Sequence, residues 1–102
     1  MANNYEIDIY GETFRDLERS TKITAMRQEV IAHNIANANT PGYVAMTFDE
    51  QLMQAVKKQD KKKVILEDEL AALSSNSIEY SGYVKMITSK LNILRTIARQ
   101  GR

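Results

Sequence analysis

The chain has no cysteine and no tryptophan, one histidine, one proline and four glycines among its 102 residues. Without cysteine there is no disulfide framework, no thiolate metal site and no cysteine nucleophile. The single histidine, His33, excludes a multi-histidine metal site within one chain, and its neighbours Asn34 and Asn37 bring no carboxylates to it. No apolar run is long enough to span a bilayer. The N-terminal stretch MANNYEIDIYGETF lacks the basic and continuous apolar regions of a secretory signal peptide. Gly-rich phosphate loops and nucleophile elbows are missing. The adjacent acids Asp49-Glu50 and Glu67 to Glu69 point apart on a helix, with no apolar pocket to tune them. These absences lead to the expectation of a protein that is not an enzyme and binds no cofactor or metal.

What is present favours helices. Hydrophobic residues make up 43% and charged residues 26%, a helix-forming composition rather than one of disorder or collagen. A chain this short buries a small share of its surface, and a pair of long helices uses nearly all of it, so association with partners is expected on physical grounds. The net charge of +1 conceals two unlike halves: residues 1–56 carry four Lys or Arg against eight Asp or Glu, and residues 57–102 carry ten against five. Such halves favour an antiparallel fold-back or contact between the ends of different subunits.

The first helix is expected over residues 13–39, after an N-terminal segment 1–12 expected to be mobile. Leu17, Thr24, Ile31, Ile35 and Ala38 line one face, and Ile23, Met26 and Val30 an adjoining one. The second is expected over residues 66–99. Here Leu66, Leu70, Leu73, Ser77, Tyr80, Val84, Ile87, Leu91, Leu94 and Ala98 alternate spacings of four and three, a heptad seam in which Ser77 is the polar interruption. Glu67, Asp68 and Glu69 at its start and Arg95 and Arg99 near its end suit the helix dipole. Gly82, with Ser74 to Ser77, allows a bend, so this helix is expected to be either continuous or jointed. Between the helices, residues 40–65 form a turn and a basic connecting segment. Phe48, Leu52, Met53 and Val56 have the spacing of a short helical turn, and strands are expected only locally if at all. Residues 57–63 hold five lysines and one aspartate. Without interleaved aromatics or a recognisable binding fold this run reads as a solvated loop, and no nucleic-acid partner is expected, Lys61, Lys62 and Lys63 being the residues whose neutralisation would test it.

The stretch NIANANTPGY, residues 34–43, joins the apolar helical pattern to an abrupt stop. Asn39, Thr40, Pro41 and Gly42 cannot extend a helix; Pro41 fixes φ and Gly42 tolerates positive φ, which suits the two central positions of a type II turn, with Tyr43 leaving in extended backbone. On Asn34, Ile35, Ala36, Asn37, Ala38, the turn Thr40-Pro41-Gly42-Tyr43, Phe48 and Leu52, and again on Glu69, Leu70, Leu73, Asn76, Ser77, Tyr80, Lys90, Leu91, Leu94 and Arg95, the chain resembles the flagellar basal-body rod proteins, the proximal rod subunits in particular. It departs from them in a shorter middle segment and in Val44, where a basic residue is more usual.

The resemblance implies a single rod-protein domain over 1–102, with an all-α fold of two long antiparallel helices packed as in a coiled coil and joined by a turn and a short connecting segment. It also implies a structural subunit of the basal-body rod in the periplasm. Such a subunit forms a homo-oligomer in a helical assembly with other rod and axial subunits, and meets the adaptor at the base of the rod and the export gate. Export would run through the flagellar secretion apparatus on an uncleaved N-terminus. The residues expected to act are the helix exit Asn34, Asn37, Asn39, Thr40, Pro41, Gly42 and Tyr43, and the packing seam Ile31, Ile35, Ala38, Leu66, Leu70, Leu73, Tyr80, Val84, Ile87, Leu91 and Leu94. The alternative from the residues alone is a small helical chaperone or adaptor of a secretion system, using the same heptads to hold one partner helix.

Overall fold

A computed structural model describes residues 2–60 and 62–101, with the backbone alone for residues 2–10. Helix α1 runs Ala2–Ala36, strands β1 (Met46–Asp49) and β2 (Gln54–Lys57) form an antiparallel hairpin, and helix α2 runs Leu66–Gln100. The helices are antiparallel: Asn34 lies near Glu69 at one end, Arg27 reaches Asn76 in the middle, and Phe14 sits beside Leu94 and Ile97 at the other. The molecule measures 63 × 23 × 14 Å, with a radius of gyration of 18.7 Å. A compact chain of this length would have a radius of about 13 Å. The elongation follows from two long helices with little to wrap around.

The apolar core is correspondingly thin. Among the described residues, the buried hydrophobic side chains are Ile23, Val30, Ile31 and Ala45. The rest of the interior is polar and satisfied by hydrogen bonds. Thr24 returns its hydroxyl to the Ser20 and Thr21 carbonyls (2.8 and 2.9 Å). Asn76, 3% exposed, donates to the Thr24 carbonyl (2.8 Å) and to Gln28 Oε1 (2.7 Å), while its own Oδ1 accepts from Arg27. Gln28 in turn donates to Ser77 Oγ (3.0 Å). The two helices thus meet across an amide ladder at mid-length, where a heptad pattern leads one to look for leucines. Polar pairing of this kind fixes register, because each partner left alone would cost about 1–3 kcal/mol.

Several expectations need correction. Helix α1 begins at Ala2 rather than at residue 13, so residues 2–12 are continuous with the helix; Gly11 without a neighbouring proline costs only about 1 kcal/mol and does not stop it. The helix ends at Ala36 rather than Asn39, since Asn37 to Asn39 are already in turns. Phe48, Leu52, Met53 and Val56 form no helical turn. Asp49 Oδ1 instead accepts from the Gln51 and Leu52 N–H groups (2.9 Å each), closing a turn that Met53 completes at φ +53°, and Thr47 pairs with Val56, Phe48 with Ala55. The side chain of Asp49 competes with helix for the backbone, which the apolar spacing did not register. Of the two forms open to α2, the structure has the continuous one, unbroken from Leu66 through Gly82 to Gln100.

The seam of α2 also lies differently. The positions buried against α1 and the hairpin are Glu69 and Asn76, whereas Leu66, Leu70, Tyr80, Val84, Leu91 and Leu94 stay 39–48% exposed. Half-buried Leu73 and Ile87 sit between the two sets. The ten-residue seam is therefore real as a pattern, but its line is rotated by one column from the line that meets α1. Replacing Asn76 with Ala is expected to lower the stability to chemical denaturation by about 1–3 kcal/mol, by removing the donor to the Thr24 carbonyl and to Gln28 Oε1 and the acceptor of Arg27. Gly82→Ala, whose added Cβ meets nothing within 4 Å, is expected to raise it by about 0.5–1 kcal/mol.

Candidate functional site

The helix exit is organised by Asn34. Its side chain is 1% exposed, and it treats the backbone of Met46 as a neighbouring strand would: Nδ2 donates to the Met46 carbonyl (2.8 Å), and Oδ1 accepts from the Met46 N–H (2.9 Å). The same Oδ1 accepts from the Tyr43 hydroxyl (2.7 Å). One amide therefore ties the end of α1, the turn and the start of β1 together. Asn37 works one turn later, its side chain donating to the His33 carbonyl (2.9 Å), which also accepts the Asn37 backbone N–H (3.1 Å), and accepting from Thr40 Oγ1 (3.2 Å). The Tyr43 N–H then bonds the Thr40 carbonyl (3.2 Å) across Pro41 and Gly42, with Gly42 at φ +78°, the backbone a type II turn requires at its third position. Asn39, Pro41 and Gly42 are exposed.

Two further ties hold the connecting segment. Ala45, 2% exposed, donates to the Lys62 carbonyl (3.2 Å) and accepts from the Lys58 N–H (2.9 Å), so the returning chain runs alongside the exit. Lys58 Nζ stands 3.5 Å from the carboxylate of Glu69, which is buried at the start of α2. Arg27 bridges α1 to Glu50 in the hairpin (2.6 Å) and, more loosely, to Glu79 of α2 (3.7 Å). Both ends of the Arg27–Glu50 pair are solvated, so it contributes at most about 1 kcal/mol. Sequence reasoning missed Ala45 and the buried roles of Glu69 and Asn76. The signal for the last two was available in the heptad columns: a column holding Glu69 and Asn76 lay beside the apolar one. Lys61, named with Lys62 and Lys63 for a test of nucleic-acid binding, lies outside the described residues.

The seam residues fall into two groups. Ile31 is buried; Ile35 at the end of α1 and Ala38 in the turn after it are half-buried. On α2 the apolar column of Leu70, Val84 and Leu91 is 48%, 39% and 42% exposed, and Ile78, Met86, Ile93 and Ile97 are more exposed still. No helix among the described residues is long and apolar enough to cross a membrane.

Residues 23–43, the second half of α1 and the exit turn, match the family described as flagella basal body rod protein. Among relatives, the flagellar basal body rod protein FlgB of Bacillus subtilis (strain 168) is 24% identical over an alignment of 129 positions that covers 94% of this chain and all of that one. FlgB of Escherichia coli (strain K12) is 44% identical over 43 residues, 42% of this chain and 31% of that one, and FlgB of Shigella flexneri matches to the same extent. An alignment of 129 positions on a chain of 102 residues needs gaps in this chain, in keeping with its short connecting segment. These likenesses support a rod protein of the FlgB type, a structural subunit of the flagellar basal body.

Tyr43 holds its proton more tightly than an ordinary tyrosine, first because burial disfavours the phenolate and second because the Glu69 carboxylate repels it. Its folded pKa is raised above the unfolded value near 10.0, so its contribution to stability is complete below that value and is lost as pH rises through the folded pKa. Alkaline titration of the unfolding free energy is expected to show a decline starting near pH 10, which Tyr43→Phe abolishes while lowering stability at neutral pH by about 1 kcal/mol. Asn34→Leu is expected to cost more, about 1–3 kcal/mol, since both backbone groups of Met46 lose their partner.

Proposed function

We propose that this chain is a building block of the flagellar rod, polymerising with related axial proteins into the tubular drive shaft that transmits torque through the periplasm. The observation that supports it is the apolar column on α2. A chain whose own helices meet over Asn76 and Glu69 leaves Leu70, Val84 and Leu91 half in water. Neighbouring subunits then complete the burial, at roughly 1.5–3 kcal/mol for each large side chain taken fully out of water. Contacts between unlike surfaces extend a tube, so the seam and the outward faces of α1 engage different neighbours. Ile31, Ile35 and Ala38 with Leu66, Leu70, Leu73, Tyr80, Val84, Ile87, Leu91 and Leu94 form the packing surface in this reading. The exit residues Asn34, Asn37, Asn39, Thr40, Pro41, Gly42 and Tyr43 set the angle at which the hairpin leaves the tube wall. Its partners are other rod and axial subunits, the adaptor at the base of the rod, and the export gate that passes the chain outward without a cleaved signal.

Leu91→Asp places a carboxylate on the outward column without touching the α1 contact. Cells carrying it are expected to export the protein but to lack rods in micrographs of basal bodies and to fail to swim, while the purified variant keeps its helical circular dichroism. Normal rods and normal swimming would refute the placement of the seam at the subunit contact. A chaperone or adaptor would instead leave the variant cells with rods of normal length and a defect in one exported client.

A further inference from the structure

Helix α2 carries two overlapping seams. The inner one runs through Glu69, Leu73, Asn76, Tyr83 and Ile87; the outer one, through Leu70, Leu73, Tyr80, Val84, Leu91 and Leu94, shares its middle column and leaves Leu70, Val84 and Leu91 half exposed, while Tyr80 borders Ala25 and Gln28 and Leu94 sits beside Phe14. The hairpin does not cover the outer seam, because it lies against Asp68, Glu69 and Ala72 on the other flank. On the open flank, Ser77, Tyr80 and Ser81 border Ala25 and Gln28 of α1 around an open hollow of about 330 Å3.

Charge along α2 says what fits there. Residues 66–79 carry Glu67, Asp68, Glu69 and Glu79 and no base; residues 80–100 carry Lys85, Lys90, Arg95 and Arg99 and no acid. A second copy laid parallel would set like charges together, whereas an antiparallel copy sets the acidic half of each helix on the basic half of the other. The heptad arithmetic agrees. When α2 is paired antiparallel with a second α2, the outer seam closes in layers that set Leu73 against the partner's Leu91, Tyr80 against the partner's Val84 and Leu94 against the partner's Leu70, with the two-fold axis at the level of Gly82. In the same register the flanking column Glu67, Ser74, Ser81, Thr88, Arg95 meets itself reversed. Glu67 then faces the partner's Arg95 twice over, small side chains fill the centre, and Glu67 and Arg95 make no ion pair within the chain among the described residues.

We propose that free chains pair as antiparallel two-fold dimers through the outer seam of α2, clasped by Glu67 and the partner's Arg95, and that this closed contact shields the seam until assembly displaces it. The shielding role rests on the rod reading; the pairing itself does not. A two-fold contact uses the same patch on both copies and cannot be extended. A dimer therefore holds the apolar column out of water without seeding a polymer, and it separates when a growing end offers a better partner.

Sedimentation equilibrium of the purified chain is expected to show a reversible monomer–dimer equilibrium. Glu67→Lys and Arg95→Glu, each converting two attractions into two repulsions, weaken it about tenfold. The chain carrying both substitutions, and an equimolar mixture of the two single variants, recover the original affinity. A short bis-maleimide cross-links Ser81→Cys, which lies near the axis, but not Ser74→Cys, whose copy is about 21 Å away along the helix. A chain that remains monomeric at every concentration, single variants that associate like the original, or equal cross-linking at both cysteines would each overturn the pairing. If the pairing fails while Leu91→Asp cells still lack rods, this inference falls and the rod reading stands. Charge-swap rescue together with normal rods in those cells would instead remove the placement of the seam at the rod's subunit contact, and with it the shielding role, and leave the pairing in place.

Discussion

Everything in this molecule follows from the polar line along which its two helices meet. Asn76 and Glu69 are the most deeply buried residues of α2, and each is held by groups of the same chain: Asn76 by Thr24, Gln28 and Arg27, Glu69 by Lys58. A buried amide or carboxylate is costly without its partners, so this line can close only in one register. Its consequence is geometric. With the polar column turned inward, the apolar column next to it has to turn out.

The hairpin and the exit turn work within the same constraint. Asn34 does for Met46 what a third strand would do, which lets a two-stranded hairpin rest on a helix with its inner edge satisfied. Tyr43 adds a donor to the Asn34 side chain, and Asn37 a second donor to the His33 carbonyl. The stretch that gives the chain its likeness to rod proteins is therefore a clip, and its residue types are set by hydrogen bonds. Asparagine at position 34 supplies a donor and an acceptor on one short arm, and aspartate or leucine would supply at most one of them.

Much of this is legible in the residues. The two helices follow from three-and-four spacing, and the exit from Pro41 and Gly42, since a fixed φ followed by tolerance of positive φ admits few backbones. The hairpin is not legible, because its strands are four residues each and its turn rests on the Asp49 side chain, while Phe48, Leu52 and Val56 mimic a helical spacing. The early start of α1 is hidden because polar residues near the N-terminus look like a stop, although nothing there breaks a helix. The orientation of α2 is hidden for a deeper reason. Hydrophobic periodicity finds the stripe that wants burial, and it assigns that stripe to the nearest partner; in this chain the nearest partner took the polar stripe beside it.

The outward column of α2 has no cover within a single chain and, in the proposed rod, gains it from neighbouring subunits. Since the chain has no cysteine, single cysteines at positions 70, 84 and 91 report this directly through their rates of thiol labelling, with position 31 as a buried reference. In dilute monomer the three are predicted to label fast and position 31 slowly, and in isolated basal bodies all four slowly. Slow labelling at 70, 84 and 91 in the monomer, or labelling there that stays fast in the basal body, would contradict this assignment of the column.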